Sequence, residues 1–158
     1  MKEIINFASF LAMLFIYTLG FAADAETDTK LRAAIATVVQ SLPMPIDKRT
    51  TLISMILEPG HVLTYRYSVD MAGMMDDAAT QGNLTRAQLL AGLERKAGSE
   101  WPKVWAEQYI FPYILKNGCS QPVTQTILKL GYSISHTMIN ADGTYLFERT
   151  IKRNECNI

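Results

Sequence analysis

The stretch that decides the fold is residues 132–152, YSISHTMINADGTYLFERTIK. Both of its ends alternate apolar and polar side chains, the period of a half-buried strand. Between them Asn140-Ala141-Asp142-Gly143 is turn material, so the stretch predicts a β-hairpin. If Asp142-Gly143 is a two-residue turn, Met138 faces Phe147 and Ile134 faces Ile151, with Tyr132 and Tyr145 on that same face. Ser133, Ser135, Thr137, Glu148, Thr150 and Lys152 take the other. A sheet covered on one side and wet on the other follows.

A second hairpin is written upstream. Thr50 to Leu57 is β-branched and apolar, and Glu58-Pro59-Gly60-His61 is a turn. Leu63, Tyr65, Tyr67 and Val69 then alternate with Val62, Thr64, Arg66 and Ser68. Helical spacing marks Leu31, Ile35, Val38, Val39 and Leu42, with Asp28 or Thr29 as cap and Pro43 and Pro45 as the stop. Asp70 to Gly82 is small and polar apart from Met71, Met74 and Met75, and reads as a loop. Thr85 and Gln88 form a capping box ahead of a buried stripe, Leu89, Leu90 and Leu93, and Gly98 closes that helix. Ser99 caps a segment carrying Trp101, Val104, Trp105 and Tyr109, which Pro112 should bend or end. After the stop at Asn117-Gly118, Ser120 and Pro122 open a helix lined by Val123, Ile127 and Leu130 and ended by Gly131. The expected fold is α+β: an antiparallel sheet of two β-hairpins, about four strands, with helices packed on one face.

The first residues differ from everything after them. Lys2 precedes an uncharged run from Phe7 to Phe21, followed by small residues at Ala22, Ala23 and Ala25. This is the layout of a secretory signal peptide over residues 1–22, cleaved after Ala22 or after Ala25, with one α+β domain over 26–158. The rival reading is an uncleaved anchor; the run of about 15 residues is short of the roughly 20 that a spanning helix needs. Export points to the periplasm or beyond, with no membrane span once the signal is removed. Cys119 and Cys156 are the two cysteines, and an even count in an oxidising compartment favours a disulfide over two buried thiols. Closing that loop contributes about 3–4 kcal/mol in the chain-entropy model.

The C-terminal unit of Cys119, a short helix, Gly131, the Asp142-Gly143 turn and Cys156 resembles one found in small exported proteins of proteobacteria. Thr51-Leu52 and Tyr65-Arg66-Tyr67 fit the same likeness, which spans mainly Pro43–Asp70 and Cys119–Cys156. Some of those proteins are immunity proteins that shield the envelope from a secreted toxin. The resemblance implies a binding role and carries no catalytic residue across.

Composition and motifs narrow the chemistry. The 158 residues carry 15 basic and 15 acidic side chains, no surplus for neutralising phosphates, which argues against nucleic acid as a partner. His61 stands in a turn and His136 on a strand, opposite Arg149, neither in a nucleophile or zinc-protease motif. Asp76-Asp77 is adjacent in sequence, where side chains diverge, and reads as polar surface. Met71, Met74 and Met75 have no neighbouring histidine or cysteine to complete a copper site, and gap-filling core is their ordinary use. Asn83-Leu84-Thr85 is formally a glycosylation acceptor whose threonine already has a capping task. No metal or cofactor is expected. That leaves a non-enzymatic protein that binds another protein, of inhibitor or immunity type. An accessory part of an envelope or secretion machine is the alternative, and a small hydrolase the third. The candidate docking residues are Trp101, Trp105, Tyr109 and Tyr113, an aromatic run of the kind that anchors partners. Trp101 and Trp105 share one helical stripe, Val104 and Phe111 a second; either one stripe stays partly exposed or both are core.

Overall fold

In the computed structural model, residues 25–158 are described; the signal-peptide reading of 1–22 lies outside them. The deciding hairpin is present, β4 (Ser133–Asn140) against β5 (Tyr145–Ile151), with Ile134 opposite Ile151 and Met138 opposite Phe147. It reaches that register by a different route. The Asn140 amide donates to the Thr144 carbonyl at 2.7 Å, so three residues form the loop, with Gly143 at a φ of 89°. Side chains there would strain, which is why glycine stands at this position. A bulge between Met138 and Ile139 absorbs the extra residue and restores the pairing. The bulge also turns Tyr145 to the open face opposite Ile139, 58% exposed, so it does not join buried Tyr132.

The sheet has five strands in the order β1-β2-β3-β4-β5. The second expected hairpin is β2 (Thr50–Glu58) with β3 (Val62–Val69). The additional strand is β1, only Met44–Pro45, paired with Thr51 and Leu52. The two hairpins join through β3 and β4, which run parallel, Leu63 beside Ile134 and Tyr65 beside His136. The sheet is therefore mixed. A parallel neighbour needs a long crossover, and among the described residues every α-helix but Ala25–Val39 lies within it.

The first helix, α1 (Ala25–Val39), buries Leu31, Ile35 and Val38 against the sheet. It starts before the expected caps, and Asp28 instead accepts the Tyr132 hydroxyl. Asp70–Gly82 is a helix rather than a loop: α2 (Met71–Gln81), capped by Asp70, whose carboxylate accepts from the Gly73 amide at 2.9 Å. Met71, Met75 and Ala79, four apart, are its buried stripe, so two of the three methionines are core. Helix α3 (Arg86–Ala97) keeps the expected capping box of Thr85 and Gln88. It packs on α2 and on the segment that follows, away from the sheet; Leu89, Leu90 and Leu93 are only half-buried. Helix α6 (Pro122–Lys129) buries Val123, Ile127 and Leu128.

These helices cover one face, formed by Leu52, Met55, Leu57, Leu63, Ile134, Met138, Phe147 and Ile151. On the open face Ser135 and Thr137 are nonetheless buried, because both hydroxyls donate to Glu148, at 3.1 and 3.2 Å.

Candidate protein-binding surface

The aromatic run folds as one broken helix: α4 (Trp101–Trp105), a π-turn over Ala106–Ile110, and α5 (Phe111–Ser120). Proline explains the break. Pro112 has no N–H to give the Gln108 carbonyl, so the chain widens by one residue and the Phe111 amide donates to Ala106. Pro112 thus widens the helix without ending it, and the helix continues past Asn117-Gly118 to Ser120.

The wider turn rotates the stripes. Trp105, Ala106 and Phe111 face the core, at 7%, 0% and 9% exposure. Phe111 meets Phe147 edge-on at 6.4 Å, and the Arg149 guanidinium lies over the Phe111 ring, 5.0 Å from its centroid. Tyr109 is thrown outward, 62% exposed, its ring 6.0 Å from that of Trp105. Trp101 and Tyr113 are half-buried, and exposed Glu107, Gln108 and Pro112 flank them. Of the four candidate residues, Trp105 is core, Tyr109 is surface, and the other two lie at the rim. Cys119 is joined to Cys156, with Cα atoms 5.1 Å apart, tying α5 to the tail beyond β5. A buried tryptophan beneath and a covalent tie behind make this a rigid support for an exposed tyrosine.

The titratable groups are engaged elsewhere. His136 is buried and lies nearly parallel to Tyr65 and Tyr67, 5.7 and 5.9 Å away. Burial pushes its pKa down to about 4 and raises those of both tyrosines, so the ring stays neutral. His61, with a φ of 59°, places Nε2 3.9 Å from Asp28, which also holds Tyr132. The bond from the Tyr132 hydroxyl ties α1 to the start of β4. Asp76 and Asp77 diverge as expected: Asp76 pairs with Arg86 of α3, and Asp77 with Lys48 at 2.9 Å and Arg49 at 3.4 Å. Arg49 also reaches Asp70 at 2.6 Å. Hydrogen bonds hold these carboxyls below the ordinary range: to the Gly73 amide and then Arg49 for Asp70, to Arg86 for Asp76, to Lys48 and then Arg49 for Asp77.

This ionic latch was not foreseen from sequence; its signal was Gly73 inside the Met71–Met75–Ala79 period. A Cβ there would fall 2.0 Å from the Arg49 guanidinium.

No protein-family model matches the sequence, and no curated protein matches it significantly. Solved structures do match the fold. A Pseudomonas aeruginosa protein inferred to be secreted aligns over 87% of this chain and 99% of its own, at 12% identity and a TM-score of 0.56. The pilotin EpsS of the Vibrio vulnificus type 2 secretion system aligns over 78% of this chain and 86% of its own, at 10% identity and a TM-score of 0.49. The type II secretion pilotin AspS of Vibrio cholerae covers the same shares at 11% and 0.45. The Pseudomonas likeness establishes a shared fold. Among the described residues no helix is long and apolar enough to cross a membrane.

Proposed function

We propose that this chain is an exported, non-enzymatic protein that binds another protein, docking it on the outer side of the 101–113 segment. One observation carries the reading: Tyr109 stands 62% exposed on a tryptophan that is itself core. A large, amphipathic side chain with little rotamer freedom, held on a rigid base, loses little entropy when a partner covers it. Trp101 and Tyr113 extend the contact area on either side. The histidines support a binding role over hydrolysis, since His136 is a neutral, buried stacking residue and His61 stands in a turn beside Asp28 and Tyr132. An inhibitor or immunity role is the form of binding favoured by the C-terminal resemblance.

Site-specific photo-crosslinking tests this. A photoreactive phenylalanine at position 109 should give one discrete protein adduct in producing cells, while the same group at exposed Glu94 of α3 gives none. A secreted toxin in the adduct identifies an immunity role, and a component of an envelope machine identifies an accessory one. Absence of an adduct at 109 in every growth state, or the same adducts from both positions, rules the surface out.

A further inference from the structure

Asp28, His61 and Tyr132 are far apart in sequence and meet in the fold. Asp28 lies in the first turn of α1, His61 in the β2–β3 turn, and Tyr132 just ahead of β4. The Ser133 amide donates to the His61 carbonyl at 2.9 Å, which sets the imidazole beside the phenol, ring centroids 5.0 Å apart. The Tyr132 hydroxyl donates to Asp28 Oδ1, and that same oxygen lies 3.9 Å from His61 Nε2. The last distance is too long for a hydrogen bond. His61 holds its place with a left-handed backbone, φ 59°, uncommon for a residue with a side chain. The Tyr132 ring is buried, whereas the His61 side chain is half-exposed, so the cluster is rigid beneath and open to solvent above.

We infer that these three side chains bind one ferric ion. A carboxylate oxygen, an imidazole nitrogen and a phenol oxygen share one small volume, and all three are metal donors. The set holds no thiolate or thioether, which removes the soft ions, and its imidazole is foreign to calcium and magnesium. A phenolate is a hard, strongly basic anion, and a small trivalent ion attracts it more strongly than a divalent one does. On binding, the Tyr132 proton leaves to solvent and the Asp28 oxygen exchanges that hydrogen bond for the ion. Bonds of roughly 2.0–2.2 Å to a first-row ion set neighbouring donors roughly 3 Å apart, and a turn of the half-exposed imidazole closes the difference. Arg32 reaches the other carboxylate oxygen, Oδ2, at 3.7 Å, which directs Oδ1 toward the tyrosine and histidine. The inference is independent of the docking role, and Tyr109→Ala should leave iron binding unchanged.

Ferric nitrilotriacetate added to the purified protein tests it, with bound iron read by absorbance and by elemental analysis after desalting. One iron per chain should remain, with a visible phenolate-to-iron charge-transfer band. Tyr132→Phe keeps the ring and should abolish the band. His61→Gly suits the left-handed backbone, so it should melt like the parent. It should nonetheless weaken iron binding about hundredfold or more, since loss of even an outer-shell partner costs about 10–100-fold. This second variant decides the matter if Tyr132→Phe does not fold. No iron after desalting, a band that survives Tyr132→Phe, or undiminished affinity in His61→Gly overturns the inference. So does Zn(II) taking the site in direct competition with iron.

Discussion

The 101–120 segment and the α2–α3 arm both lie in the crossover from β3 to β4, yet they are held by different forces. The segment sinks Trp105, Ala106 and Phe111 into the core and is tied behind by Cys119–Cys156. In the arm, α2 buries Met71, Met75 and Ala79, but α3 keeps its leucines only half-buried, and ion pairs of Lys48, Arg49 and Arg86 link the arm to its surroundings. Apolar burial contributes about 1.5–3 kcal/mol per large side chain, whereas exposed ion pairs contribute little and fade with salt. The contrast teaches where rigidity is placed: under the exposed tyrosine, and away from the arm.

Four results would break or sharpen that contrast. The largest is Trp105→Ala, which should cost about 3–5 kcal/mol by urea unfolding through loss of core volume. A cost under about 1 kcal/mol would show the segment to be no better anchored than the arm. Next, replacing Cys119 and Cys156 together with serine should cost about 3–4 kcal/mol, with amide exchange accelerating in α5 and the tail.

The third concerns acid. His136 has a folded pKa of about 4 against an ordinary 6.5, so the unfolded chain binds the extra proton first. Stability should fall by about 3 kcal/mol as pH drops from 6.5 to 4 and level off below. His136→Phe should flatten that slope in a melting-temperature series. The latch carboxyls lose stability in the same direction, but at lower pH. Their folded pKa values lie below 3.8, so their contribution persists above that value and is lost only as pH falls through the lower folded pKa. Acid should therefore loosen the histidine-bearing half before the arm. The smallest effect is Arg49→Gln, which should speed amide exchange in α2 and α3 while barely moving the melting temperature. A large global loss would make the latch part of the core.

Local patterns were the legible part of this chain. Alternation in 132–152 marked both strands, and the Ile134–Ile151 register came out correctly although the turn has three loop residues, because a bulge cancels the error. Less legible was whatever depends on distant partners. Met44–Pro45 is too short to carry a period, and it becomes a strand only because Thr51 and Leu52 lie beside it. Nothing local tells that β3 and β4 run parallel. The stripe Leu89, Leu90 and Leu93 looked like a sheet-facing helix, yet the sheet face is already filled by α1, α6 and the 101–120 segment. At the candidate site, an α-helical count put Trp101 and Trp105 on one stripe. The π-turn forced by Pro112 sent Trp105 and Phe111 inward and Tyr109 out.

Tyr109→Ala, assayed for partner binding and melting temperature in parallel, tests the central claim most directly. With 62% of the residue already in water, removing the ring should leave stability within about 0.5 kcal/mol. Partner affinity should fall by about thirtyfold or more, the loss of a central tyrosine worth 2 kcal/mol or above. Full affinity at unchanged stability would contradict a docking role for this surface. A stability loss as large as that of Trp105→Ala would show Tyr109 to be part of the core after all.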